Sequence, residues 1–464
     1  LLSSGGDERI ELLASGKHKY HLSPNEPPGL FSRGSCTCSS LNPQSRAKLE
    51  DFCNYICSEP FHAVRKKQSQ RLKDLLNYDG KDAFDVIFAP SGSDLAYLPS
   101  IITEILQPGR EQLVLLTCPE ELGSGSQMAF LGKYFGDKNQ FGQPVEKGED
   151  INPHYNISLS RFSARSKEGL IIDHAKSIKD EIHRHPHMAK IGALVIGSKS
   201  GIEDDISLIP KIDKNVMWVV DLCQFRNSKK LVNELLEMNC MVMITGSKFY
   251  MAPPFCGVML IPKGYGEKVR NTNIDPALLK GFDNIFSYYD FPEEYENLRK
   301  FFPKKENLGL TLRWEIALDE MERFSKIPVK EVNDLLYKWN DIVTEEIRKS
   351  QHFELMPHQD QTNSTIVSFT VKNPEGGFLE YDDLRKFFKF VVDQKHDCFD
   401  RFEKAFFGQP VRYGHGAFIR LALGSNNIYN LLKRDPETRF KNDRALVKLL
   451  DRKVIEFMDT NLTR

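Results

Sequence analysis

No apolar run of this chain reaches the roughly 20 residues that a bilayer-crossing helix needs, so no membrane span is expected. Excess charge of either sign is also missing. Lysine plus arginine number 63 against 64 aspartates and glutamates, which leaves no general pull toward nucleic acid or an anionic membrane. The first residues, Leu1 to Asp7, lack a basic segment followed by an apolar core, so no signal peptide is read. They also lack an initiator methionine, which points to residues upstream. Internal repeats and low-complexity blocks are absent. Well-spaced metal knuckles are absent too: Cys36-Thr37-Cys38 and Cys53-x3-Cys57 do not match paired zinc ligands, and His183, His185 and His187 read as a helix end. Three glycosylation sequons, at Asn156, Asn363 and Asn461, are chance matches without a secretory signal.

What is present is an ordinary soluble composition, 40% hydrophobic and 27% charged, in 464 residues, more than one core normally supports. The nine cysteines are odd in number, and Cys118, Cys223, Cys240 and Cys256 fall in apolar runs. That pattern suits reduced thiols in a cytoplasmic protein better than a disulfide framework.

Residues 1–45, rich in Ser, Gly, Pro and Asn, read as an N-terminal arm. Residues 46–328 read as a large α/β domain. A helical stretch over 45–76 leads into apolar strands at 84–90, 112–118, 191–197, 216–221 and 240–245, with helices expected over 94–106 and 126–135. A strand at 256–262 follows too closely for an intervening helix and is expected to run antiparallel. Continuous apolar strands alternating with helices imply a mainly parallel sheet covered on both faces, with ligands at the carboxyl ends of the strands. Residues 329–464 read as a smaller α+β domain, with a long helix over 329–351 and strands at 365–371 and 417–422.

The strand ends carry the chemistry. Pro90-Ser91-Gly92-Ser93-Asp94 opens a helix, and its small residues let backbone amides approach an anion; a plain cap by Ser93 or Asp94 is the alternative. Trp218-Val219-Val220-Asp221 ends on an acid, with Gln224 three residues on. Thr245-Gly246-Ser247-Lys248 ends the next strand with hydroxyls, a glycine and a lysine, before an apolar segment. An amine for a Schiff base, an acid facing a pyridine nitrogen and a cradle for a phosphate together suit pyridoxal 5'-phosphate. A capping aspartate and a solvated loop lysine are the bland alternatives.

In that order and spacing, Ser91-Gly92-Ser93-Asp94, Asp221-x-x-Gln224 and Ser247-Lys248 resemble the aspartate aminotransferase (type I) fold of pyridoxal phosphate (PLP) enzymes, nearest the class V aminotransferase and cysteine desulfurase branch. The resemblance spans roughly residues 45–425. It implies a seven-stranded type of sheet and Lys248 holding the cofactor as a Schiff base. It further implies Asp221 on the pyridine nitrogen and Gln224 on the phenolic oxygen, with Ser91, Gly92, Ser93, Thr245 and Ser247 around the phosphate. Arg420, in Phe418-Ile419-Arg420-Leu421, resembles the arginine that grips a substrate carboxylate. A homodimer acting on an amino acid as its small-molecule substrate is implied as well, and Phe286-Ser287-Tyr288-Tyr289 is a candidate to cross into a partner's site.

Two departures stand out. The loop Cys118 to Gln127 carries no ring or histidine to stack on the cofactor, which leaves Glu121 and Ser124 as site candidates. Ser247 stands where desulfurases and group II decarboxylases have histidine, and the segment Ser350 to Thr365 has no cysteine. The reading is therefore an aminotransferase-like enzyme, with a lyase or carbon–carbon bond-forming enzyme of the same fold as the alternative, and a non-catalytic binding protein behind both.

Overall fold

The computed structural model describes residues 1–462 apart from 26–28, 37, 78–82, 124, 168, 198, 227, 358 and 414–415. Twelve strands form two sheets. In chain order they are β1 (Leu30–Arg33), β2 (Phe84–Ala89), β3 (Gln112–Thr117), β4 (Ile157–Phe162), β5 (Ala189–Val195), β6 (Val216–Leu222), β7 (Met241–Thr245), β8 (Gly257–Pro262), β9 (Phe353–Leu355), β10 (Ile366–Val371), β11 (Lys404–Tyr413) and β12 (Gly416–Ala422).

The larger sheet has seven strands in the order β2-β8-β7-β6-β5-β3-β4. All are parallel except β8, which runs antiparallel to both β2 and β7. The apolar runs dictate this arrangement. Every residue of β2, β3, β5, β7 and β8 is buried, as strands covered on both faces must be. Successive side chains alternate between two cores. Phe88, Trp218, Val220 and Ile244 face Trp314 of the helix Leu308–Phe324, whereas Ile87, Val114, Val219 and Met243 face the helix Leu98–Leu106. Strand β4, which sequence periodicity did not flag, is a half-exposed edge strand whose Ser and Arg residues interrupt its apolar positions.

The second sheet is ordered β1-β11-β12-β10-β9. Here the N-terminal arm contributes a strand. Leu30–Arg33 pairs in parallel with Lys404–Phe407, and Arg33 forms a buried ion pair with Asp443 at 2.6 Å. Trp339 also donates to Asp443, at 2.7 Å. The helix expected over 45–76 is three helices, broken around Lys48 and at Glu59-Pro60, because proline lacks the N–H that a helix interior needs. The helix expected over 126–135 stops at Phe130.

One buried side chain makes several of the bonds that pin the first residues over the large sheet. Arg313, fully buried on Leu308–Phe324, donates to the carbonyls of Leu2 (3.1 Å), Ser4 (2.6 Å), Gly5 (3.1 Å) and Phe255 (2.7 Å). This clamp carries the next residues to the carboxyl ends of the parallel strands. Phe286-Ser287-Tyr288-Tyr289 is packed within the chain: Phe286 lies against Phe291 and Phe302, and Tyr289 meets the edge of Phe61. Among the described residues, no helix is long and apolar enough to cross a membrane.

Candidate active site

A cavity of about 500 Å³ opens at the carboxyl ends of the parallel strands and is closed on one side by β11 and β12. Ser91, Gly92, Ser93, Asp221, Thr245, Ser247, Lys248 and Arg420 all border it, so residues far apart in sequence meet at one place.

The loop after β2 forms one end. Ser91 Oγ donates to Asp94 Oδ2 at 2.6 Å and accepts from the Ser93 amide at 3.2 Å. A Cβ on Gly92 would stand 2.7 Å from Cys223 Sγ, so only glycine lets this loop lie so close to the end of β6. The loop has a partner that sequence reasoning missed. Arg9 Nη2 donates to Ser91 Oγ at 2.8 Å, and its Nη1 donates to Ser93 Oγ at 3.3 Å. The guanidinium lies 4.8 Å from the ring centre of Phe135 and 4.9 Å from that of Phe255, and it pairs with Asp7 at 2.6 Å. Burial opposes its charge, but Asp7 outweighs burial and raises its basicity. Burial, then Asp7, push the Asp94 carboxyl up to about 7. The only sequence signal for Arg9 was an acid two residues earlier, which marks no site by itself.

The ends of β6 and β7 form the floor. Asp221 Oδ1 accepts from the Cys223 amide at 2.7 Å, and Thr245 Oγ1 donates to the Cys223 carbonyl at 2.5 Å. Gly246 is tightly packed, since a Cβ there would meet Ala317 Cβ at 2.4 Å. Lys248 is half-buried at the cavity wall. Gln224 is turned away: its amide donates to the Cys36 carbonyl at 3.2 Å, and its oxygen accepts from Arg226 at 3.0 and 3.1 Å. A buried arginine with five donors outcompetes a pocket for that oxygen. Gln224 therefore does not line the cavity.

At the other end Arg420, on β12, donates from Nε to Cys36 Sγ at 2.8 Å and from Nη1 to the Lys199 carbonyl at 3.4 Å. Lys199 follows β5 and was also missed. Its Nζ donates to the Glu120 carbonyl at 3.0 Å. Burial, then Arg420, bring its ammonium down to about 8, with Lys248 adding to the drop and Glu121 and Asp221 opposing it. Glu121 does not face the cavity; its carboxylate accepts from the Ser200 amide at 2.7 Å and from the Ser200 hydroxyl. Ser124 lies outside the described residues. The loop after β3 borders the cavity without a ring, as its sequence implied, and the aromatic groups there are Tyr20, Phe255 and Tyr381. Behind that loop Cys118, His174 and Asp204 converge, with Asp204 accepting from Thr117, the Val195 amide and Cys118.

A seven-stranded sheet of this order, with one antiparallel strand and a lysine following the strand beside it, decides the architecture. It is the type I fold of PLP-dependent enzymes. The chain superimposes on a phosphoserine aminotransferase, SerC, from Cytophaga hutchinsonii with a TM-score of 0.52 and 16% identity, over 89% of this chain and 98% of that one. A NifS-like protein from Rickettsia africae gives 0.55 and 10%, over 91% and 99%. The 4-hydroxyphenylacetaldehyde synthase of Rhodiola rosea gives 0.55 and 13%, over 95% and 85%. No family model matches the sequence, and no curated protein matches it. Pyridoxal 5'-phosphate is the cofactor this fold leads one to expect, and the residues fit it. The buried Ser247 hydroxyl has no hydrogen-bond partner of good geometry, only the Cys256 thiol beside it, so a donor stands ready beside Gly92 and Ser93 for a phosphate.

Proposed function

We propose that the protein is a PLP-dependent enzyme acting on an amino acid, with amino transfer as its reaction. The observation that carries this reading is the convergence of Lys248, Asp221 and the orphaned Ser247 hydroxyl on one cavity with the Ser91 loop. In this reading Lys248 is the attachment point, and Asp221 keeps the pyridine nitrogen protonated. Ser91, Gly92, Ser93, Thr245 and Ser247 cradle the phosphate, joined by Arg9. Bound there, the cofactor supplies an electron sink for charge developing at the substrate Cα. Arg420 orients the α-carboxylate through its planar fork of donors, and Lys248, once released, carries the proton to and from Cα. A homodimer in the cytoplasm belongs to the same reading, and the reduced thiols of all nine cysteines accord with that compartment.

The test is a half-reaction. Cofactor-loaded protein mixed with amino acids should pass into the amine form of the cofactor and return on addition of a keto acid. Turnover of an amino acid with no acceptor and no amine form would replace transfer with lyase or carbon–carbon bond chemistry on the same residues.

A further inference from the structure

Lysine is seldom buried unless a carboxylate answers it. Lys199 is half-buried in the cavity wall, and among the described residues no carboxylate lies within ion-pair distance of its ammonium. The two acids of the neighbouring loop are engaged elsewhere: Glu120 accepts from the Ala164 amide at 3.2 Å, and Glu121 is held by Ser200. One N–H of Lys199 goes to the Glu120 carbonyl. An ammonium has three such donors. The nearest charged neighbours in its own setting include two further cations, Arg420 and Lys248, which oppose its protonation. Fixing an ammonium beside a guanidinium is costly unless something anionic enters between them.

Several charges at the cavity already have partners or roles. Arg9 is paired with Asp7 and belongs to the phosphate end. Lys248 and Asp221 serve the cofactor in the reading above, on which this inference rests. The reading above gives Arg420 to the α-carboxylate, and Arg420 is linked to Lys199 through the Lys199 carbonyl at 3.4 Å. Arg412, stacked over Tyr381 at 4.8 Å, adds positive charge at the rim. One carboxylate of an amino acid answers Arg420 and leaves Lys199 facing the rest of the molecule.

We propose that the substrate is an amino acid with a second anionic group, a dicarboxylic or phosphorylated α-amino acid, whose α-carboxylate meets Arg420 and whose side-chain anion meets Lys199. Lys199 is then a specificity-determining residue. Burial, then Arg420 and Lys248, bring its basicity down to about 8 against the pull of Glu121 and Asp221, so acidic ligands bind most tightly below that pH and loosen above it, as the ammonium loses its proton.

The experiment titrates cofactor-loaded protein with aspartate, glutamate and phosphoserine against asparagine, glutamine and serine, read by the change in cofactor absorbance. At least one acidic ligand should bind about tenfold or more tighter than its neutral counterpart, the scale of one charge-assisted hydrogen bond. The carboxylate and phosphate arms separate the two sources of the anion. Lys199→Gln should reduce the preference to about threefold or less, and Lys199→Arg should keep most of it. Equal binding of neutral ligands overturns the proposal. So does a Lys199→Gln protein that keeps the preference, or one that loses cofactor affinity instead. A parallel thermal-shift titration of cofactor-free protein compares succinate and glutarate with butyrate. If the protein never takes up cofactor, the functional reading fails, yet a dicarboxylate preference that Lys199→Gln removes still shows the clamp, and its absence refutes it.

Discussion

The two ends of the cavity are built on opposite electrostatic plans. At the end proposed to hold the phosphate, Arg9 is held by Asp7, Ser91 and Ser93 and flanked by two rings, and Ser91 is held by Asp94. At the end proposed for the substrate Arg420 and Lys199 sit together, and no carboxylate answers the ammonium among the described residues. A preassembled end suits a permanent occupant, because nothing needs to reorganise when it binds. An end with unanswered charge suits a ligand that comes and goes and brings the missing anion each time.

The largest effect is expected where the assembled end is held in place. Arg313→Leu takes the donor from the carbonyls of Leu2, Ser4 and Phe255 and leaves that of Gly5 with Asn307 alone. A loss of roughly 3–5 kcal/mol is expected, read by denaturant unfolding, together with weaker cofactor binding as Arg9 drifts from Ser91. Next comes Arg9 itself. Arg9→Leu should weaken cofactor binding about 10- to 100-fold, and combining it with Asp7→Asn should recover stability without recovering affinity. Recovered affinity would mean that Arg9 braces the arm and does not meet the phosphate. At the other end Arg420→Lys replaces a bidentate fork by a point charge; KM should rise about tenfold or more, with a smaller change in kcat. An equal fall in kcat would move Arg420 from binding into the chemical step.

A pH-dependent effect concerns Asp94, whose carboxyl is held up to about 7 by burial and Asp7. A raised folded-state value means that the folded chain keeps its proton while the unfolded chain, near 3.8, has lost it. Stability of cofactor-free protein should therefore fall as pH rises from about 4 to about 7 and level off above, and Asp94→Asn should flatten that slope. The measurement is the urea midpoint at each pH, with wild type and variant compared.

The large sheet was legible because its strands are continuous apolar runs buried on both faces, and the antiparallel turn of β8 followed from the short gap after Thr245. Strand β4 was not, because an edge strand mixes polar and apolar residues and resembles a loop. Within the site, Ser91, Asp221, Ser247 and Lys248 were readable as strand-end residues. Arg9 and Lys199 were not: the first reaches the site through an arm held down by Arg313 and Asn307, and the second lies among small polar residues with no periodic signature. Gln224 shows the converse, since spacing gave it a role that Arg226 takes away.

The central claim is a cofactor held by Lys248, and an absorbance spectrum of the purified protein incubated with pyridoxal 5'-phosphate tests it most directly. The account predicts a visible band of lysine-bound cofactor that persists through gel filtration and vanishes in Lys248→Ala. No band, or a band that Lys248→Ala leaves unchanged, would contradict it.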